Sequence, residues 1–135
     1  VPFLLSSEGP PRSFHTSWFA PFLLSSEGPP YNQLTLIEAE NIDYYNTKYG
    51  LDIPYKDFRR NIVTKGIQLN DLIGKKIKIG NVEVEGIDLC RPCRHLTEVL
   101  NQDNILKEFL RRGGLRCQIL TSSQININDD IKVLD

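Results

Sequence analysis

Cys90-Arg91-Pro92-Cys93-Arg94-His95 is the densest run of reactive side chains in the sequence. It follows an alternating, β-branched run and leads into a helical pattern that starts at Arg94. A thiol at the start of a helix faces unpaired N–H groups and the positive end of the helix dipole, and both favour the thiolate. Arg91 and Arg94 add positive charge beside it. Such a thiolate serves as a metal ligand, a nucleophile or a carrier of persulfide sulfur. Cys93 stands at the helix start, whereas Cys90 ends the strand, so the two thiols lie close without having to face each other. Other readings stay open. Dithiol redox chemistry normally uses a βαβ setting, which this pattern lacks. Structural zinc held by Cys90, Cys93, His95 and Cys117 would lack a second Cys-x-x-Cys pair. Cysteines also pack as small apolar groups without any chemistry. Cys117 falls in an alternating strand pattern and is expected in the core, and His95 alone reads as a surface or cap residue.

Two further groups carry charge. In Phe58-Arg59-Arg60-Asn61-Ile62, two guanidiniums and an amide stand where a strand begins, and Arg forks match phosphate or carboxylate. The plain alternative is an arginine pair on a solvated surface. In Arg111-Arg112-Gly113-Gly114, paired glycines let backbone N–H groups approach a ligand. The plain alternative is a helix end with favourable arginine charges and a glycine stop. Spacing alone does not bring the three groups together.

The elements that must position these residues are short. Residues 33–37 alternate as a strand, and residues 38–49 place Ile42, Tyr45 and Tyr49 at helical spacing, with Gly50 as the stop. Residues 60–64 read as a strand, Gly66 as its turn and residues 69–73 as a short helical piece. Residues 75–79 and 82–89 form a hairpin around Gly80-Asn81 whose lysines and glutamates can pair across the strands. Residues 94–100 and 104–112 read as helices, the second with Ile105, Leu106, Phe109 and Leu110 as its apolar stripe. Residues 115–120 and 125–133 close the chain as strands. The expected fold class is mainly β with peripheral helices, arranged as a small closed barrel that removes open sheet edges.

The totals agree with a single globular unit. The chain has 135 residues, 40% hydrophobic and 24% charged, with a net charge of -1. That balance argues against a nucleic-acid partner, which calls for a basic face. No apolar run approaches the roughly 18 residues of a membrane span, and no secretory pattern is present, so a cytoplasmic protein is expected. Three cysteines, an odd number, argue against a disulfide framework. No methionine occurs and the first residue is Val1, so Val1 is not expected to be the natural start. Residues 1–32 are atypical. The decamer from Pro2 to Pro11 recurs identically from Pro21 to Pro30. Two copies are too few for a repeat architecture, which needs at least about three. A recent duplication, an artificial extension or a sequence error are the plain readings. The functional one is a docking arm anchored by Phe14, Trp18 and Phe19. The globular domain is expected over residues 33–135.

Taken together, several segments resemble one family. They are Leu34-Thr35-Leu36-Ile37-Glu38-Ala39-Glu40, Phe58-Arg59-Arg60-Asn61-Ile62-Val63, Gly66-Ile67-Gln68-Leu69, Gly74-Lys75 through Ile79-Gly80, Cys90-Arg91-Pro92-Cys93 and Arg112-Gly113-Gly114-Leu115. Their order is similar to that of a MOSC domain, the module named after the C-terminal part of molybdenum cofactor sulfurases. The resemblance runs from about Gln33 to Val133. It implies a barrel like the small barrel domain of pyruvate kinase. It implies that Cys93 is the family's cysteine, which carries sulfur or, in amidoxime-reducing relatives, ligates molybdenum. It places Arg59 and Asn61 on the Arg-x-Asn signature near a molybdenum cofactor (molybdopterin), and Arg112, Gly113 and Gly114 in a second pocket-lining segment. Cys90, Arg91, Arg94 and His95 come second, Cys90 because it is not general to the family. Pyridoxal phosphate enters only as an association of the family as a whole. Two departures stand out: no Gly-Asp-Arg or Gly-Asp-His segment occurs in residues 1–32, and Asn128-Asp129 replaces a family Gly-Asp. The implied activities are reduction of N-hydroxylated compounds with electrons from a redox partner, or sulfur transfer. The alternatives are a non-catalytic carrier docking on a cysteine desulfurase, sulfurase or molybdoenzyme, and a structural barrel with an unused cysteine.

Overall fold

The fold is described from a computed structural model, over residues 3–5, 22–24, 33–58, 60–91, 97–98, 100–102, 104–126 and 129–134. Among the described residues the named elements are β1 (Phe3–Leu5), β2 (Phe22–Leu24), β3 (Gln33–Glu38), α1 (Ala39–Tyr49), β4 (Ile62–Lys65), β5 (Lys76–Ile79), β6 (Val82–Leu89), α2 (Ile105–Glu108), β7 (Leu115–Ile119), β8 (Ser123–Ile125) and β9 (Ile131–Val133). Two 3-10 turns, Tyr55–Phe58 and Leu69–Leu72, punctuate the connections. Seven strands form one sheet in the order β1-β4-β3-β7-β6-β5-β9, and β2 pairs with β8. The large sheet curls into a half-barrel with β1 and β9 as its edges.

β3 and β4 explain how one sheet serves two cores. The pair is parallel because α1 crosses over between them. Successive strand residues face opposite sides. Leu34, Leu36 and Ile62 therefore enter the barrel-side core with Ile77, Ile79, Val82, Val84, Leu115 and Ile119. Ile37 and Val63 face the other way and meet Ile42, Tyr45, Phe58, Ile105 and Phe109 under the helices. In α1, Ala39, Ile42 and Tyr45 supply the buried stripe. The helix stops at Gly50, whose φ of 63° lets the Leu51 N–H donate to the Asn46 carbonyl at 2.8 Å.

The predicted hairpin forms as β5 and β6, with Lys76 opposite Glu85 and Lys78 opposite Glu83. Three expectations are corrected or bounded. The helix expected over residues 104–112 is a single turn, because Phe109 leaves helical geometry and the chain turns toward Gly113. Only half its apolar stripe is used: Ile105 and Phe109 are buried, whereas Leu106 and Leu110 are exposed. The single strand expected over residues 125–133 is two, β8 and β9. The break is local: the Asn126 N–H donates to the Asp129 carboxylate at 2.7 Å, which turns the chain. The helix expected over residues 94–100 lies mostly outside the described residues, although residues 97, 98 and 100 are helical. The repeated decamer contributes a strand from each copy. Phe3–Leu5 runs antiparallel to β4, and the identical Phe22–Leu24 runs antiparallel to β8.

Candidate functional site

Three chain segments meet where β4 begins, β6 ends and β7 begins. Arg60 lies between them: its Nε donates to the Gly113 carbonyl at 2.8 Å and its Nη2 to the Arg91 carbonyl at 3.5 Å. The Cys90 N–H donates to the Gly114 carbonyl at 2.8 Å. The glycine pair is needed for this approach. A Cβ on Gly113 would sit 2.6 Å from the Cys90 carbonyl, and one on Gly114 would sit 2.0 Å from the Leu36 carbonyl. Gly114 also has a φ of +109°, which L side chains rarely adopt. The two glycines thus let backbone pack on backbone, and protein already fills the space in front of their Cα atoms.

Asn61 has an equally defined task. Its Oδ1 accepts from the Thr35 N–H at 2.9 Å and from the Thr35 hydroxyl at 3.0 Å, while its own N–H donates to that hydroxyl at 3.0 Å. This reciprocal pair fastens the start of β4 to β3 beside the site. Arg112 engages elsewhere: it stacks 4.6 Å from the Tyr44 ring centroid and lies 3.7 Å from Glu108. Among the predicted site residues, the structure brings Cys90, Arg91, Gly113 and Gly114 together, with Asn61 adjoining through the start of β4. Arg112 turns toward α1. Cys93, Arg59, Arg94 and His95 lie outside the described residues.

Burial raises the pKa of both described thiols. Cys117 is fully buried in β7, and burial pushes its pKa up to about 12. Burial also raises the Cys90 thiol, with the Arg60 guanidinium pulling it down. Next to Cys90, Arg116 binds both oxygens of Asp88 at 2.9 and 3.0 Å, and this pairing holds the Asp88 carboxyl below its usual range. Arg116 is thereby matched, and the positive charge left at the corner comes from Arg60 and Arg91. Among the described residues no group of three or more His, Cys, Asp or Glu is placed to hold a metal, and the four-ligand zinc arrangement needs Cys93 and His95, which lie outside them. An open cleft of about 350 Å³ lies away from this corner, lined by Lys78, Asn81, Asn126, Asp129 and Lys132.

Sequence reasoning did not single out Asp88, Arg116 or Glu108, and it named Arg60 only as one of two guanidiniums that could hold an anion. Arg60 stood beside the signature positions. The Asp88–Arg116 pair depends on the β6–β7 register, which includes a bulge between Gly86 and Asp88. Glu108 joins α1 to α2: its Oε2 accepts from Lys48 Nζ at 2.6 Å and from the Tyr49 hydroxyl. Lys48 and then Tyr49 hold its carboxyl below the ordinary 4.5. A depressed carboxylate contributes stability above its unfolded pKa and loses that contribution as pH falls through the folded value. The α1–α2 contact is therefore expected to loosen on the acid side of pH 4.5. Glu108→Gln should remove that acid-dependent step, read from the Tyr44 and Tyr49 ring resonances.

The family model for the MOSC domain matches residues 24–132. Among curated proteins none matches the chain in sequence. Among solved structures, YiiM from Geobacillus stearothermophilus superposes with a TM-score of 0.74 at 17% identity, covering 86% of this chain and 61% of that one. YiiM from Escherichia coli gives 0.73 at 13% identity, covering 99% and 68%. The YuaD protein from Bacillus subtilis gives 0.64 at 17% identity, covering 98% and 84%. These likenesses show the fold. The chain thus spans about three-fifths of the first YiiM.

Proposed function

Because this chain belongs to the MOSC domain family, we propose that it works through Cys93, whose thiolate binds the molybdenum cofactor or carries sulfur for it. The observation that carries this reading is the state of the other thiols. Of three cysteines, Cys117 is held protonated deep in β7 and Cys90 is raised by burial. The working role then falls to Cys93, at the start of a helical pattern and between Arg91 and Arg94.

The described residues fit such a group as frame and field. Arg60 and Arg91 leave positive charge at the corner, which suits an anionic pterin cofactor, and the neighbouring carboxylate of Asp88 is neutralised by Arg116. The Cα faces of Gly113 and Gly114 pack on backbone, Asn61 bonds Thr35 and Arg112 stacks on Tyr44. Direct contact falls first to Cys93, with Arg59, Asn61, Arg112, Gly113 and Gly114 as the cofactor-binding candidates and Arg94 behind them. When bound, molybdenum supplies redox chemistry of the kind that reduces N-hydroxylated compounds, with electrons from a partner protein. The chain's own part is to hold the group on one thiolate and to steer anionic charge toward it.

The test is molybdenum content per chain after expression in a host that makes the cofactor, for the wild type and Cys93→Ala. Molybdenum in the wild type and none in the variant supports the cofactor form. A persulfide on Cys93 without molybdenum supports the sulfur-carrying form. Neither on the wild type, and no difference between the two proteins, contradicts the proposal.

A further inference from the structure

We infer that the two copies of the repeated decamer are interchangeable: the outer edge of β4 and the edge of β8 are two receptor sites for one extended Phe-Leu-Leu strand, and the copies exchange between them. One sequence makes two different pairings. Phe3–Leu5 lies antiparallel to β4, with Phe3 opposite Lys65, Leu4 opposite Thr64 and Leu5 opposite Val63. The identical Phe22–Leu24 lies antiparallel to β8, with Phe22 opposite Ile125, Leu23 opposite Gln124 and Leu24 opposite Ser123. The two receiving strands have no residue type in common at these positions. What they share is direction and a backbone edge that no other described strand occupies: β4 has β3 on its far side, and β8 pairs with β2 alone. Recognition of that kind comes from main-chain hydrogen bonds, which add a strand to a sheet edge with little demand on the side chains being met. A segment that satisfies one edge therefore satisfies the other.

Each pairing is three residues long. Strands more often run to about five or six, so a pairing this short opens and closes readily. Nothing in the decamer tells a returning copy which edge is its own. Tether length decides whether exchange is possible. Residues 25–32 separate the second copy from β3, and the chain from Leu24 to Gln33 spans at most about 30 Å. To replace the first copy on β4, Leu24 would stand opposite Val63, which is itself opposite Ile37 of β3. That place lies two strand spacings, about 10 Å, to the side of β3, and about 13 Å along β3 from Gln33. The separation of about 16 Å is well inside the reach. The first copy has the longer tether, residues 6–32, once the second is undocked. The trade takes place within one chain.

The experiment disables one copy in the full chain and reads both edges. Leu4→Pro removes a backbone N–H and fixes φ away from extended strand geometry, which takes the first copy out of pairing. Amide hydrogen exchange, followed by NMR, is read at Val63 to Lys65 for the β4 edge and at Ser123 to Ile125 for the β8 edge, each relative to Ile77 and Val84 of the hairpin. One remaining copy shared between two edges leaves each empty about half the time. Exchange should then accelerate at both edges, to within about twofold of the unprotected rate at the amides that face the strand. Leu23→Pro should give the same two-site response. The free decapeptide Pro-Phe-Leu-Leu-Ser-Ser-Glu-Gly-Pro-Pro, added at about millimolar concentration to match a short tether, should slow exchange at both edges again. The same peptide with proline in place of its first leucine should not. Acceleration confined to the edge whose own copy was altered overturns the inference, because each copy then belongs to its own edge. So does acceleration shared equally by Ile77 and Val84 in both variants, or a free decapeptide that slows neither edge.

Discussion

Gly114→Ala is expected to lower the stability of this protein by about 3–5 kcal/mol, combining an unfavourable backbone conformation with a steric clash in a packed region. At a φ of +109° an alanine is strained before any neighbour is considered. The added Cβ would then lie 2.0 Å from the Leu36 carbonyl, which is backbone of β3 and cannot swing away. Relief requires β7 to move off β3, and that pair is the seam of the large sheet, with Leu36 opposite Leu115. The Cys90 N–H would lose its bond to the Gly114 carbonyl in the same movement. Gly50→Ala is the matched control: its φ is +63°, but a Cβ there meets nothing within 4 Å. It should cost about 1 kcal/mol, the ordinary penalty of a left-handed alanine. Urea unfolding of both variants checks the pair. Equal costs would show that the close approach at Gly114 carries no weight.

Phe109→Ala should cost about 3–5 kcal/mol, the usual range for emptying a buried aromatic site. Phe109 is 2% exposed, and its ring lies 5.3 Å from that of Tyr45 and 5.1 Å from that of Phe58. These three rings join α1, α2 and the chain just before Arg60, so the cavity would open beneath the candidate site. Leu110→Ala is the contrast. A residue on the expected apolar stripe would be as costly, but Leu110 is 60% exposed and its truncation should stay within about 0.5 kcal/mol. Thermal unfolding distinguishes the two, and a large loss at Leu110 would show that its side chain is packed after all.

That contrast marks where sequence reading reached its limit. The spacing of Ile105, Leu106, Phe109 and Leu110 fits a helix, yet Phe109 already departs from helical geometry. Periodicity reports a possible face; the need to deliver Gly113 and Gly114 to β3 and Cys90 decided how long the helix lasts. Alternation in residues 75–89 was legible because one face is buried and the other wet, and it predicted the hairpin with its lysines opposite glutamates. The break between β8 and β9 was not, because the apolar run hides the Asn126–Asp129 contact that turns the chain. At the site, the segments were legible but their use was not. Gly113 and Gly114 suggested a ligand approach, and the approach they permit is to backbone. Arg112 suggested a pocket-lining residue or a favourable charge at a helix end, and it stacks on Tyr44. Arg60 read as one of a pair that holds an anion or sits on a solvated surface, and it bonds two carbonyls that only the fold brings together. Such long-range convergence has no signature in local pattern.

The central claim is that Cys93 is the residue through which this MOSC domain acts, and a native mass spectrum of the full chain tests it most directly. Protein from a host that makes the molybdenum cofactor should carry either the cofactor's added mass or one extra sulfur, and Cys93→Ala should carry neither. A wild-type spectrum of the bare chain, or an added mass that persists in Cys93→Ala, would contradict the account.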